Sequence, residues 1–450
     1  MLITSLFTGD EPLTFPEEQV EKNGENAGTY EADHNGDKVD NDMNVLFLTL
    51  CEYHSIKEED LYTDLLREFL RDGHKVYLIS PVEKRRGLDT QIIREGNSTI
   101  LSVKIGNTQK TNIIEKGIST VLIEPQFKRA IKIYFSDVKF DLVLYTTPPI
   151  TLTGAVDYVK KRDGAKTYLL LKDIFPQNAV DIGMMKEGSL LHRHFRKQEK
   201  KLYAISDRIG CMSQANVEYV LKHNPEIDPN IVEISPNCIE VIDKSIDEKT
   251  RIAIRSKYDI PLGKTVFVYG GNLGKPQGIP FIIDCMKACE EIDDAYFLII
   301  GDGTEYGLIE NYVEEQKQKN LKLMRRLPKE DYDTLVAACD VGMIFLDHRF
   351  TIPNFPSRIV SYMQAKLPVL ACTDPNTDIG KTVVDGGFGW WCESDDAERF
   401  KNIIIKAMPN AKSGDYRQRS FNYLAYEWNV RKQFYNIQEI LKQEVDRHES

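Results

Sequence analysis

The stretch Phe267–Gly278 reads FVYGGNLGKPQG, and it continues an apolar run that begins at Thr265. The next residues, IPFIIDCMKACEEI (279–292), have the apolar spacing of a helix. A strand that ends on glycines before a helix is typical of phosphate-binding loops, because glycine lets the backbone approach an anion and the first helical N–H groups point towards it. Lys275 adds a mobile positive charge. An ordinary strand-to-helix turn is the alternative, since a glycine loop alone is weak evidence of binding.

The alternation of strand and helix continues through the rest of the second half. We predict strands at Thr265–Tyr269, Tyr296–Gly301, Leu321–Met324, Val341–Leu346 and Pro368–Cys372, with helices over residues 279–290, 304–318, 329–338, 356–365 and 395–407. Such alternation predicts a parallel sheet with helices on both faces. Ligands of these sheets bind at the carboxyl ends of the strands.

The first half alternates in the same way, starting with NVLFLTLCEYHS at Asn44. Further strands are predicted at Leu101–Val103, Asp141–Tyr145, Thr167–Leu171, Arg208–Met212 and Ile231–Ile234, and helices over residues 151–162, 190–205 and 214–222. The sequence therefore predicts an α/β protein with two Rossmann-like, doubly wound domains, residues 43–238 and 263–415, that face a central cleft. A charged segment over residues 239–262 is predicted to link them. An amphipathic helix over residues 416–450 is predicted to pack across both.

The chain has a net charge of −11, and most of the excess lies at its start. Residues 1–42 contain 11 acidic and 2 basic residues and few large apolar ones, so we predict a disordered acidic tail. No segment resembles a secretory signal or is apolar for long enough to span a membrane. The eight cysteines form no CxxC pair. We therefore expect a reduced, cytoplasmic protein without a nucleic-acid partner.

Four loops of the second half follow predicted strands and should lie at one edge of its sheet. They are Gly270–Gly278, Gly301–Gly303, Arg325–Pro328 and the segment from Phe345 to Asp347. Arg358 comes after the last loop, in the first turn of a predicted helix, where the helix N-terminus also attracts anions. Lys275 and Arg358 are therefore expected to converge on one diphosphate, with about 1.5–3 kcal/mol from each charged hydrogen bond. The alternative for Arg358 is an exposed helix residue.

Four pieces of the second half, in this order and spacing, are GGNLGKPQG, LIIGDG, RLPKEDYDTLVAACDVGMIFL and PSRIVSYMQAKLPVLA. Together they resemble the nucleotide-sugar half of family 4 glycosyltransferases, which have the GT-B fold of two Rossmann domains. In the first half, LKDIFPQNAVDIGMM, SDRIGCMSQANVEYVLKHNP and SPNCIEVID resemble the acceptor half of the subgroup that builds bacterial surface polysaccharides. The resemblance covers about residues 44–440.

The resemblance implies transfer of a sugar from a nucleotide-sugar donor to a hydroxyl of a sugar or lipid-linked acceptor, with retention of anomeric configuration. It implies no metal and no cofactor, because cationic side chains and helix dipoles stabilise the departing diphosphate. By position, it assigns catalytic roles to Lys275 and Arg358. It assigns Gly271, Asn272 and Gly274 to the diphosphate, Gly301 and Gly303 to the nucleotide, the backbone of Arg326 and Leu327 to the base, Ser357 to the phosphates and Ser361 to the ribose.

The chain departs from the family pattern at several positions. The Glu-x7-Glu motif falls on Pro353 and Ser361, and the arginine frequent in the first glycine loop is Asn272. EYHSIKEED replaces the glycine-rich loop usual after the first strand. These losses make a non-catalytic GT-B-fold subunit of a glycosyltransferase complex the alternative. A nucleotide-sugar epimerase is a third interpretation. An NAD-linked dehydrogenase is disfavoured, because no G-x-G-x-x-G follows the first strand of either half.

On the acceptor side, Asp173 in LLLKDIFP follows an apolar strand and is the candidate to orient or deprotonate the acceptor hydroxyl. The alternative is a helix cap or turn residue. His54, with Glu52, is a further candidate in the loop after the first strand, although a lone loop histidine usually has no catalytic role. His192 and His194 are expected on the surface.

The run HRHFRKQEKK (192–201) contains five Lys/Arg residues against one Glu, with Leu190, Leu191 and Phe195 interleaved. A basic face beside apolar residues is expected to dock on an anionic membrane surface, where a lipid-linked acceptor resides. The expected location is therefore peripheral, at the inner face of the membrane. A solvated helix face is the alternative.

Overall fold

The first domain is built on an eight-stranded sheet in the computed structural model, which describes residues 42–108 and 113–449 of the chain. Its strands are β1 (Asn44–Leu48), β2 (Lys75–Glu83), β3 (Gln91–Glu95), β4 (Ser98–Ile105), β5 (Leu142–Thr146), β6 (Lys166–Leu171), β7 (Arg208–Cys211) and β8 (Val232–Ile234). They follow the order β3–β4–β2–β1–β5–β6–β7–β8, and all neighbours are parallel except β3 and β4. Its helices are α1 (Leu61–Arg71), α2 (Ile113–Tyr134), α3 (Thr153–Asp163), α4 (Gln177–Asp181), α5 (Leu190–Ile205) and α6 (Gln214–His223).

The second domain has a six-stranded, fully parallel sheet. Its strands are β9 (Thr265–Asn272), β10 (Ala295–Asp302), β11 (Leu321–Met324), β12 (Val341–Phe345), β13 (Val369–Thr373) and β14 (Gly389–Glu393), in the order β11–β10–β9–β12–β13–β14. The helices before and within it are α7 (Glu248–Lys257), α8 (Ile279–Ala288), α9 (Tyr306–Gln316), α10 (Lys329–Ala337), α11 (Arg358–Gln364), α12 (Ile379–Asp385) and α13 (Ala397–Ala407). The chain ends with α14 (Gly414–Glu427) and α15 (Val430–Glu449).

The central strands of both sheets are covered on both faces, as their continuous apolar runs require. Every residue from Val45 to Leu48 and from Val266 to Tyr269 is at most 1% exposed. Both strands also lie where the strand order reverses, since β1 lies between β2 and β5, and β9 lies between β10 and β12. The loops that leave such a position diverge and open a crevice at the carboxyl ends of the strands. The predicted pair of doubly wound α/β domains is confirmed.

The segment predicted as a linker, residues 239–262, contains the helix α7. Its Arg255 is 1% exposed, pairs with the Asp340 carboxylate at 2.7 Å and donates to the Ala338 carbonyl at 2.7 Å. A charged residue of this segment therefore anchors it to the second domain.

Several elements were not predicted from the sequence pattern, among them α2, β3, α12 and β14. In α2, Pro125 interrupts the pattern expected of a helix. Between β3 and β4 the chain turns at Gly96, which has a φ of +58°, and the resulting hairpin adds the single antiparallel strand at the edge of the first sheet. The predicted acidic tail lies outside the described residues, apart from Asp42.

The C-terminal segment, predicted as a single helix, forms the two helices α14 and α15. They separate where Ile239 exchanges backbone hydrogen bonds with Trp428 and Val430, each 3.1 Å long. The helix α14 packs on the second domain, and its Ser420 hydroxyl donates to the Leu367 carbonyl at 2.8 Å. The helix α15 packs on the first domain, where the Phe434 and Phe69 rings meet edge to face at 4.9 Å.

Candidate active site

The carboxyl ends of both sheets border one cavity of about 650 Å³. The residues of the first domain and its outgoing segment that line it lie after β1, β5, β6 and β8. Those of the second domain lie at the end of β9 and just beyond it, after β12, and at the start of α10 and α11. The polar side chains of its wall are Glu59, Asp60, Tyr62, Thr147, Lys172, Asp173, Asn178, Asn237, Asn272, Gln277, Lys329, Asn354, Ser357, Arg358 and Ser361. The cavity is therefore shared between the domains, as the central-cleft prediction requires.

Arg358, the first residue of α11, lies in this wall. Its Nη1 donates to the Gly270 carbonyl at 2.8 Å, and its guanidinium carbon is 4.4 Å from the centre of the Tyr269 ring. Among the described residues, no carboxylate lies within 4 Å of the guanidinium. The positive charge is therefore positioned by a carbonyl and an aromatic ring, and it is not neutralised by the protein groups described.

The glycine loop is shaped around that guanidinium. Gly271 has a φ of +139°, and a Cβ at this position would lie 2.9 Å from Arg358 Nη1. At Gly274, a Cβ would lie 2.9 Å from Asn272 Nδ2. The side-chain amides of Asn272 and Gln277 are hydrogen-bonded to each other at 3.0 Å. Both residues line the cavity, so this pair forms the side of the loop that faces it.

Lys275 belongs to the same loop as the cavity-lining Asn272 and Gln277. It begins a short 3₁₀ turn, Lys275–Gln277, and its side chain is exposed. Asn272, Pro276 and Gln277 line the cavity, whereas Lys275 does not. The structure thus places Arg358 but not Lys275 in the cavity wall, because Gln277 takes the inner side of the turn.

The residues assigned to the nucleotide and the base lie outside this wall. A Cβ at Gly301 would lie 1.9 Å from the Gly271 carbonyl oxygen, and one at Gly303 would lie 2.2 Å from the Leu273 carbonyl oxygen. Both glycines are therefore required for close packing of two loops. The Arg326 backbone N–H donates to Asp302 at 3.3 Å, and Leu327 packs against the apolar core.

The two positions of the Glu-x7-Glu motif differ in their surroundings. Ser361 lines the cavity beside Ser357. Pro353 is buried, and its carbonyl accepts a 2.8 Å hydrogen bond from Asn216 of the first domain. The neighbouring Asn354 lines the cavity instead. The first motif position therefore contributes an interdomain contact.

Asp173 lies in the wall contributed by the first domain, just after β6. Asn178 Nδ2 donates to its Oδ2 at 2.6 Å, and its backbone N–H donates to Thr147 Oγ1 at 3.1 Å. Burial raises the pKa of this carboxyl to about 6, against the hydrogen bonds that favour the ionised form. Asp173 is therefore half-ionised near pH 6, in the range suited to a general base.

The histidine candidates lie elsewhere. His54 is exposed and 3.3 Å from Glu52, and neither side chain lines the cavity. His192 and His194 lie on α5, away from the cavity wall.

Two cationic residues of the wall were not singled out from the sequence. Lys172 precedes Asp173, and its Nζ donates to the carbonyls of Ser235 and Pro236 at 3.0 and 3.2 Å. Burial lowers the pKa of Lys172 to about 8. Lys329 begins α10 and pairs with Asp333 at 2.9 Å. In the sequence, the one feature that could have indicated these two lysines is their position after predicted strands.

Away from the cavity, one group of described side chains brings three potential metal-ligand atoms within 4.8 Å of one another. It consists of His348, Glu393 and Asp395. His348 and Asp395 are exposed, and none of the three lines the cavity.

The basic run lies on α5, beside strongly exposed apolar residues. Leu190 and Leu191 are 84% and 55% exposed. A shallow open depression on this surface is lined by His192, Arg193, Arg196, Lys197, Lys200 and Lys201, with Ala204 and Glu226. No helix in the described part of the chain combines the length and the apolar character needed to cross a bilayer.

Residues 250–426 match the family model for group 1 glycosyl transferases. The matched segment contains the whole second domain, so this domain is similar to group 1 glycosyl transferases. The chain is also 26% identical over 303 residues to the probable glycosyltransferase WbjE of Pseudomonas aeruginosa, a match that covers 67% of this chain and 74% of WbjE.

Solved structures of the same architecture extend over nearly the whole chain. Sucrose-phosphate synthase of Thermosynechococcus elongatus has a TM-score of 0.71 at 13% identity, covering 90% of this chain and 100% of the synthase. Anabaena HepE in complex with UDP and glucose has a TM-score of 0.64 at 14% identity, covering 89% of this chain and 100% of HepE. The predicted GT-B fold and the assignment to the glycosyltransferases are confirmed.

Proposed function

We propose that this glycosyltransferase moves a sugar from a nucleotide-sugar donor to a hydroxyl of a sugar or lipid-linked acceptor, in surface-polysaccharide or glycoconjugate synthesis. The observation that carries the proposal is the Arg358 guanidinium, which lines the interdomain cavity without a carboxylate partner among the described residues. A diphosphate supplies such a counter-charge through strong hydrogen bonds. The UDP and glucose bound to HepE, which has the same fold, support a nucleotide-sugar donor.

In the proposed reaction, the acceptor oxygen attacks the anomeric carbon on the face from which the diphosphate leaves, so the configuration is retained. The new C–O bond forms as the bond to the diphosphate breaks, and the hydroxyl proton passes to Asp173. Arg358 stabilises the negative charge of the leaving diphosphate, so the proposal requires no metal and no cofactor. Ser357 and Ser361 are proposed to contact the phosphates and the ribose.

The donor site is tested by thermal-shift measurements with nucleoside diphosphates of different bases. Stabilisation by one nucleotide would identify the base, because a ligand at 100 times its Kd stabilises the folded state by about 2.7 kcal/mol. Arg358→Ala is expected to remove the shift, whereas Lys287→Ala, an exposed residue of α8, should retain it. A wild-type chain that no nucleotide stabilises would contradict the proposal.

The second candidate is a non-catalytic subunit of a glycosyltransferase complex. It is favoured by Pro353 and Ser361, which replace the two glutamates of the family motif and leave no carboxylate at either position. An assay of nucleoside diphosphate release from nucleotide sugars separates the candidates. Binding without release, in the presence of a membrane extract that contains acceptors, would support the subunit.

We also propose that α5 docks on the anionic inner surface of a membrane. Leu190 and Leu191 provide exposed apolar area, and Arg193 and Lys197 are exposed beside them. Sedimentation with phosphatidylglycerol vesicles at low salt tests this. The wild type should bind, and a variant with both Leu190→Asp and Leu191→Asp should bind much less. Wild-type protein that remains entirely unbound would exclude the proposal.

A further inference from the structure

Three cations line the interdomain cavity, and their partners differ. Lys329 is 2.9 Å from Asp333 and 3.8 Å from Glu59, so carboxylates neutralise its charge. Arg358 has a carbonyl and an aromatic ring as partners. Lys172 has two backbone carbonyls. Among the described residues, Lys172 and Arg358 are therefore the cavity-lining cations without a carboxylate within 4 Å.

The two unneutralised cations belong to different domains. Arg358 lies in the second domain, against the glycine loop after β9. Lys172 lies at the end of β6 in the first domain, directly before Asp173. Both Lys172 and Asp173 line the cavity, and the two side chains do not form an ion pair with each other.

The surroundings of Lys172 are unfavourable for a cation without a ligand. Its side chain is half-buried, and its hydrogen-bond partners are the neutral carbonyls of two consecutive residues just after β8. A neutral donor such as a glutamine amide could bridge the same carbonyls without the cost of desolvating a charge. A lysine at this position is therefore better explained by an anion in the cavity than by the strand ends alone.

We propose that Lys172 binds a phosphate-type oxyanion of the acceptor while Arg358 holds the diphosphate of the donor. This inference rests on the proposed function and deepens it, because it gives the acceptor a negative charge close to the hydroxyl that reacts. An oxyanion on Lys172 places the acceptor beside Asp173 and separates it from the donor site. A lysine ammonium suits this role, because it binds phosphate as a compact point charge.

The test is calorimetric titration of inorganic phosphate into the full chain saturated with the nucleoside diphosphate that stabilises it. The wild type should bind phosphate under these conditions. Lys172→Gln, which retains hydrogen-bond donors but no charge, should weaken phosphate binding at least tenfold and change nucleoside diphosphate binding less than twofold. Lys172→Arg should restore phosphate binding to within threefold. Lys329→Met removes a neutralised cation of the same cavity and should change phosphate binding less than twofold.

Two results would overturn the inference: a nucleotide-saturated wild type that binds no phosphate, or phosphate binding that is equal in wild type and Lys172→Gln. If Lys172→Gln does not fold, the comparison is made with Lys172→Met. Failure of the proposed function is distinguishable, because it appears as loss of nucleoside diphosphate binding in the wild type. In that case the Arg358→Ala variant, titrated with phosphate without nucleotide, still reports on Lys172.

Discussion

The guanidinium of Arg358 occupies the space into which a side chain at Gly271 would project, since a Cβ there would lie 2.9 Å from its Nη1. The glycine loop and the cation are therefore one unit: the loop leaves room for the guanidinium, and the Gly270 carbonyl holds it at 2.8 Å. This relationship couples the backbone conformation of one strand end to the charge that faces the cavity.

Gly271→Ala is expected to weaken nucleoside diphosphate binding at least tenfold, because the methyl group displaces Arg358. The φ of +139° adds backbone strain of about 1–3 kcal/mol. Titration calorimetry and chemical denaturation measure the two effects. Gly307→Ala, in α9, is the control, since a Cβ there meets nothing within 4 Å. Equal binding by wild type and Gly271→Ala would show that Arg358 does not need its present position.

Arg358→Ala is expected to reduce kcat about 100-fold or more, the usual loss when one charge-stabilising donor is removed. Lys275→Ala is expected to change kcat less than threefold, because Lys275 is exposed and does not line the cavity. The sequence alone predicted a loss for both. Steady-state assays of nucleoside diphosphate release distinguish the two expectations, and equal losses would place Lys275 at the diphosphate.

The acid limb of the pH profile should report Asp173. Its carboxyl must be ionised to accept a proton, so kcat/KM should rise with pH through about 6 and level off above it. Asn178→Ala removes a hydrogen bond that favours the ionised form, and should move this limb to higher pH. An acid limb that is unchanged in Asp173→Asn would assign the titration to another group.

Asp340→Asn is expected to destabilise the fold by about 3–5 kcal/mol, because it leaves the buried Arg255 without its counter-charge. Urea denaturation measures the change in free energy of unfolding. Asp284→Asn, which breaks an exposed ion pair with Lys287, should cost less than about 1 kcal/mol. A small effect at Asp340 would contradict the dependence of Arg255 on this carboxylate, which also lies within 4 Å of Arg251 and Arg417.

The sheets could be predicted from the sequence because their central strands are buried on both faces and end on recognisable loops. Arg358 could be placed for the same reason, since it follows β12 and opens α11. Lys275 could not be placed, because the inner side of its turn is occupied by Gln277 through a contact with Asn272 that spacing does not reveal.

Other parts of the site depend on contacts between distant segments. The pairing of Asn178 with Asp173 follows from the turn after β6, and the partners of Lys172 lie more than sixty positions along the chain, after β8. A glycine is needed at position 301 because the backbone of Gly271 packs closely against it. A sequence motif alone does not distinguish this reason from contact with a ligand. Lys329 has carboxylate partners and Lys172 has none among the described residues, and this difference can be seen only in the folded structure.

The polypeptide crosses between the domains twice, and Ile239 on the outward passage is hydrogen-bonded to Trp428 and Val430 on the return. The two connections are thereby joined where they pass between the domains. A displacement of the domains that pulls these connections apart must break both backbone hydrogen bonds.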